Sequence, residues 1–395
     1  MNQSGKPAKG VLLMAAGIKG AIGSTLAAAV AMMRQTPEAV LPYLTTGGKF
    51  SYLGMEHNIS IAGWDINPAP FPRVLDRCGV LEKRLWEPCL PVLEKIEVRP
   101  GPDTDTGLDT KSRVERVSAD IEEFRRLHPD LVPVFVNLLP AGKGHDLQHS
   151  SSLSDLYENA GHVPPDIVYA AAAIEAGAAV VNFTPNFIEI PALLDAAASR
   201  GIPVCGNDGK TGQTYFKVAL ASAFKARNLR VNGWYSLNIL GNQDGRNLMD
   251  PDHAACKLDN KTGVLEEVLG YLPGSRQYGE SAHKVRIDYY PPRGDAKEAW
   301  DVIDFEGIFG MPMSMRVNLQ GKDSILAAPM VIDLARWMAA LRFAEKGGAV
   351  SELAFYFKNP AGQDAPRSFE GQVAALGKLE EKCDTVVGQE NKDKG

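Results

Sequence analysis

The chain has 395 residues, 45% apolar and 23% charged, and this ordinary usage excludes collagen-like, disordered and coiled-coil readings of the whole. Its 42 basic against 48 acidic residues leave a net charge of −6, so there is no basic excess to bind nucleic acid or anionic lipid. Five scattered cysteines (Cys78, Cys89, Cys205, Cys256, Cys383) form no CxxC pair, which argues against a disulfide scaffold or a structural zinc site and fits a reducing cytoplasm.

Lys6 and Lys9 precede the apolar run VLLMAAG, as in a signal peptide, but Lys19 soon interrupts it. The later run LAAAVAMM is far too short to span a bilayer. Neither a targeting segment nor a transmembrane helix is expected. Val11–Ala16 reads as a buried strand and Ser24–Met33 as a helix. Asn58–Asp65 and Val132–Leu139 read as further strands. Pro164 and Pro165 open a helix through IVYAAAAIEA that Gly177 stops. AAVVNF is a fourth strand, IPALLDAAASR a helix closed by Gly201, and IPVCG a fifth strand. Strands alternating with helices predict an α/β fold with a mostly parallel, doubly wound sheet.

The texture changes near residue 215. VNGWYSLNIL, HKVRIDYY and MSMRVNLQ alternate at period two, as strands wetted on one face do. The expected division is therefore 1–214, then 215–326 with its own open sheet, then 327–395. In the last part the apolar helix Ala327–Leu341 rejoins the first unit. The polar tail from Gly362, rich in Lys and Glu, reads as partly disordered.

Gly17, Gly20 and Gly23 follow a strand and open a helix, the context of a dinucleotide turn. Lys19 stands where the usual second glycine belongs, and Asp65 lies farther along than the usual ribose acid. Residue types alone leave a plain tight turn open. Asn207–Thr214 looks like a P-loop, but Val204 stands where its first glycine should be, which argues against ATP or GTP hydrolysis. A helix mouth after Gly206 suits a phosphate, with a helix capped by Thr211 as the bland alternative. His145-Asp146-Leu147-Gln148-His149 resembles HExxH with Asp for the base; no third ligand stands out and no metal is expected. Lys257 and Lys261 share a face if their stretch is helical. Lys297, Lys322 and Lys358 follow or end strands, where open α/β sheets place ligands, but composition does not bring them together.

The stretches GNDGKTGQT, SLNILGNQDGRNL, PPRGDAKEAWD, GKDSILAAPMVIDL and FYFKNP, in this order, resemble the myo-inositol-1-phosphate synthase family in its compact bacterial form, from about Val11 to Pro360. The resemblance implies a Rossmann-type NAD domain with an inserted α+β domain for catalysis and oligomer contacts, and a cytoplasmic homotetramer. It also implies conversion of D-glucose 6-phosphate to 1L-myo-inositol 3-phosphate. NAD takes hydride from C5, C6 enolises and attacks the C1 aldehyde, and the hydride returns to C5. The family's motifs carry catalytic roles onto Lys257, Lys297 and Lys358, with Asp208, Asp244 and Asp323 holding the lysines and cofactor. Lys297 and Lys257 would serve O1 and the aldol step, and Lys358 the C5 oxygen. Phosphate binding falls to Thr211, Gly212, Gln213, Asn242 and Lys261. Gly17, Gly20, Gly23, Thr25, Asp65, Asn182, Asp208 and Asp295 are expected near NAD. Ile239 and Gln243 stand where the family often has His and Asn close to the substrate. A relative closing a five-membered ring from fructose 6-phosphate, or a non-catalytic NAD-binding homologue, is therefore the alternative.

Overall fold

The computed structural model describes residues 9–102, 107–142, 145–159, 163–242, 245–246, 249 and 263–393. In chain order the strands are β1 (Gly10–Ala16), β2 (Ile59–Trp64), β3 (Val98–Arg99), β4 (Leu131–Asn137), β5 (Ala179–Asn182), β6 (Pro203–Cys205), β7 (Arg230–Leu240), β8 (His283–Tyr289), β9 (Ala296–Glu306), β10 (Pro312–Lys322) and β11 (Gly348–Ala349). The helices that matter below are α1 (Ala21–Gln35), α2 (Thr110–Leu127), α3 (Pro165–Glu175), α4 (Pro191–Ser199), α5 (Gln213–Ala226), α6 (Asp323–Phe343) and α7 (Phe369–Asp393).

Seven strands form one parallel sheet in the order β11-β6-β5-β4-β1-β2-β3, the doubly wound Rossmann arrangement. Strand β1 shows why a continuous apolar run is needed. Alternate side chains face opposite ways, so Val11, Leu13 and Ala15 pack with α1 and α6, while Leu12, Met14 and Ala16 pack with α2, α3 and α4. Every residue of β1 is buried.

The second sheet has the order β10-β9-β7-β8, with β7 parallel to β8 and antiparallel to β9. Its inner face receives α5. Val218, Ala221 and Phe224 of that helix pack against Val231, Trp234 and Ile303. Its outer face stays wet, as period two requires.

Helix α6 has the length and apolarity to cross a membrane, yet 78% of its most apolar window is buried inside the protein. It is a core helix with two charged residues, Asp333 and Arg336, buried in its middle. Asp333 accepts from both the backbone N–H and the hydroxyl of Thr45 and of Thr46, at 2.7–3.0 Å. Arg336 donates to the Lys49 carbonyl and the Thr46 hydroxyl. A buried charge survives only with such satisfaction. The tail from Gly362 departs from the expectation of partial disorder. Its residues 369–393 form helix α7, and Leu379 and Cys383 are 1% exposed in the core beside α6.

Candidate functional site

The C-terminal ends of the parallel strands open on a cleft of about 370 Å³, where a doubly wound sheet is expected to bind its ligand. Two helix mouths line it. At α1 the N-cap is Gly20 and at α5 it is Gly212; neither has a side-chain cap, and neither helix has an acidic residue in its first turn. Free amides and the positive end of the helix dipole make both mouths anion-accepting.

The glycine turn after β1 is fixed by space. Gly17 has φ +80°, and a Cβ there would stand 2.8 Å from the Leu138 carbonyl oxygen. A Cβ on Gly23 would meet Gly17 and Ile18 at 2.6 Å. Asp65, past the end of β2, accepts from the Lys19 amide at 2.7 Å and from the Asn67 amide at 2.8 Å. Lys19, in place of the usual glycine, turns its ammonium outward to the Asn67 carbonyl. These residues fit a dinucleotide: a close backbone approach, an open helix mouth and an acid at the next strand end.

Lys358 reaches the cleft because two segments distant in sequence run side by side. Asn207 donates to the Asn359 carbonyl, Lys210 to that of Tyr356, and Lys358 to that of Asp208. The Lys358 ammonium then donates to Asp208 Oδ1 at 2.7 Å, with both side chains nearly buried. Asp208 itself has φ +60°, an unusual conformation for a residue with a side chain, and such outliers gather at functional sites. Its Oδ2 is buried with no partner, so it can accept from a ligand.

Lys297, near the start of β9, donates to Asp323 Oδ2 at 3.1 Å, and the Thr211 hydroxyl donates to Asp323 Oδ1 at 3.0 Å. Burial works against the Asp323 charge, but Lys297, Lys358 and Thr211 outweigh it and hold the carboxyl at about 2. It is therefore ionised at neutral pH. Asn242 donates to Asp295 Oδ1 at 3.1 Å, and Ser324 to the same oxygen at 3.3 Å. Burial raises the Asp295 carboxyl, and its Oδ2 is unpartnered.

Gly20, Gly23, Asp208, Thr211, Gly212, Gln213, Asn242, Lys297, Asp323 and Lys358 all line the cleft, though the Gln213 amide is turned away to Asp301 at 2.9 Å. Of the expected cofactor residues, Gly17, Thr25, Asp65, Asn182 and Asp295 are not part of the lining itself. The Thr25 hydroxyl bonds back to the Ala21 carbonyl, and Asn182 is fully buried in a network with Thr184, Asn186 and Asn137. Lys257, Lys261, Asp244 and Gln243 lie outside the described residues. Ile239 corrects an expectation. The inward side chains of β7 include Trp234, Ser236, Asn238 and Leu240, so Ile239 faces the other side of the sheet and does not line the cleft.

In sequence, Lys210 is only the lysine of a failed P-loop. It points away from the cleft to Gln372 Oε1 at 2.7 Å and the Ala354 carbonyl, and burial lowers its ammonium to about 7. No spacing signals such a role. His145 bonds the Phe187 carbonyl at 2.7 Å.

Fold and cleft together define a Rossmann-type α/β enzyme with an inserted sheet and two anion-accepting mouths on one site. The profile of the family described as myo-inositol-1-phosphate synthase matches residues 212–324. The inositol-3-phosphate synthase 1 of Bacteroides thetaiotaomicron is 31% identical over 91% of this chain and 92% of its own. The inositol-3-phosphate synthase of Trypanosoma brucei brucei is 30% identical over 69% of this chain, but over only 56% of its own length. In fold, the chain superposes on the Caenorhabditis elegans inositol-3-phosphate synthase with a TM-score of 0.83, at 23% identity, covering 96% of this chain and 86% of that one. The chain belongs to the inositol-3-phosphate synthase family, and it is an enzyme of the isomerase type.

Proposed function

We propose that the protein converts D-glucose 6-phosphate to 1L-myo-inositol 3-phosphate, with NAD held in the Rossmann cleft. The observation that carries this reading is the meeting of two lysine–aspartate pairs, Lys297–Asp323 and Lys358–Asp208, between two uncapped helix mouths. NAD bound against the glycine turn would supply a reversible hydride acceptor. The residues of the chain do the rest. The mouth of α5 takes the sugar phosphate, with Thr211 kept in place by Asp323. The Lys358 ammonium, steadied by Asp208, stabilises the C5 oxygen as its charge changes. Lys297 does the same for the oxygen at C1 when the ring closes, and Asp323 keeps its ammonium aimed there. Lys257 and Lys261 complete the set by family motif.

Purified protein with NAD+ and glucose 6-phosphate should yield inositol phosphate with no net NADH. Substrate carrying deuterium at C5 should keep that label in the product. Turnover of fructose 6-phosphate in place of glucose 6-phosphate would instead establish the five-membered-ring reading. Lys358→Ala should lower turnover at least about 100-fold while leaving the circular dichroism spectrum intact; an unchanged rate would remove Lys358 from the chemistry.

We also propose that the protein works as a homotetramer. The end of the β9–β10 hairpin exposes Ile308 (78%), Phe309 (92%) and Met311 (61%), and such an apolar patch suits a partner surface.

A further inference from the structure

Helix α5 meets the second sheet mainly through apolar side chains, and apolar contacts do not by themselves fix a helix in rotation and register. A polar latch does so here. Asp301 on β9 is buried among donors. Its Oδ1 accepts from Trp234 Nε1 at 2.7 Å and from the Ser236 hydroxyl at 2.6 Å, and its Oδ2 accepts from Gln213 Nε2 at 2.9 Å. Ser236 and Asp301 are direct partners across the β7–β9 ladder, so the carboxylate is anchored by the sheet before it reaches the helix. One turn further along α5, buried Lys217 contacts His283 Nε2 on β8 at 2.9 Å and lies over the Trp234 ring.

Gln213 is the first residue of α5 and directly follows the uncapped Gly212. Two carboxylates therefore hold the two residues that flank Gly212. Asp323 holds the Thr211 hydroxyl, and Asp301 holds the Gln213 amide. Neither takes up the free backbone N–H groups of the first turn. We propose that Asp301 is a positioning residue for phosphate recognition: it sets the α5 mouth at the distance from Lys297 and Asp323 that the sugar phosphate needs. This deepens the proposed function and rests on reading that mouth as the phosphate site. A displacement of the order of 1 Å in such a group is costly, because orientation is most of what it contributes.

The test is calorimetric titration of the full-length protein with inorganic phosphate and with glucose 6-phosphate, alongside steady-state kinetics. Asp301→Ala should weaken both ligands about tenfold and raise KM by a similar factor, with kcat little changed. Asp301→Asn keeps an oxygen for Trp234 and Ser236, and Gln213 can turn its amide to meet the new NH2, so affinity should return to within about threefold of the parent. A role in stability alone would lower the melting temperature of Asp301→Ala and leave KM alone. Folded Asp301→Ala that binds phosphate like the parent would overturn the proposal. If Asp301→Ala does not fold, Gln213→Leu removes the same link from the helix side, and parental affinity in that variant would be equally fatal. Parent protein that binds neither ligand would show instead that the α5 mouth is not the phosphate site.

Discussion

Replacing Asp323 by Asn removes the charge facing Lys297 at 3.1 Å but leaves a carbonyl for Thr211. Lys297 then loses its aim, and turnover should fall about 100-fold with the fold retained, as steady-state kinetics would record. Stability should change as well. The folded Asp323 carboxyl titrates at about 2 rather than 3.8. A depressed acid stabilises the fold above its ordinary value and loses that contribution as pH falls from 3.8 towards 2, here about 2 kcal/mol. Acid unfolding of Asp323→Asn should lack that part of the slope. Lys210 gives a slope of the same sign in a higher window, though here it is a penalty that is relieved. Burial lowers its ammonium from 10.5 to about 7, so between those values the unfolded chain holds a proton that the folded one has released. Its burial penalty is full below pH 7 and is relieved as pH rises towards 10.5. Lys210→Met should flatten that rise in a series of denaturant titrations.

At the level of turns and helices, Gly23 decides whether α1 can start so close to the strand before it. A Cβ there would meet Gly17 and Ile18 at 2.6 Å. Gly23→Ala should therefore weaken NAD binding about tenfold or more in a fluorescence titration, while the rest of the sheet stays folded. Gly377, exposed inside α7, has nothing within 4 Å of such a Cβ. Gly377→Ala should raise stability by about 1 kcal/mol in chemical denaturation. The contrast between α1 and α7 also marks what could be read from the chain alone. Strand β1 and its glycine turn were legible because parallel strands need unbroken apolar runs and the turn needs residues without a Cβ. Helix α7 reads as a loose tail on composition alone, although Leu376, Leu379 and Cys383 carry a helical stripe that packs on the core. Lys358 was expected on family motif only. Its arrival at Asp208 depends on residues 356–359 lying against 207–210, which no local spacing encodes. The departure at Ile239 mattered less than its position suggested, since period two turns it away from the cleft.

For the whole molecule, the cleft depends on both sheets. The Rossmann sheet contributes the glycine turn and Asp208, and the second sheet contributes Lys297 and Asn242. Helix α6 ties them together, since Asp323 at its first turn faces Lys297 while Trp337, 1% exposed, packs edge-on against Phe50 in the main core. Self-association should depend on the apolar hairpin end. Phe309→Asp should reduce the mass measured by light scattering while leaving the spectroscopic signature of the fold unchanged. The pairing of 356–359 with 207–210 has a consequence during synthesis. A chain still emerging from the ribosome, made only as far as α6, already holds Asp208 but not yet Lys358, so a pair separated by 150 residues closes only after α6 has been made.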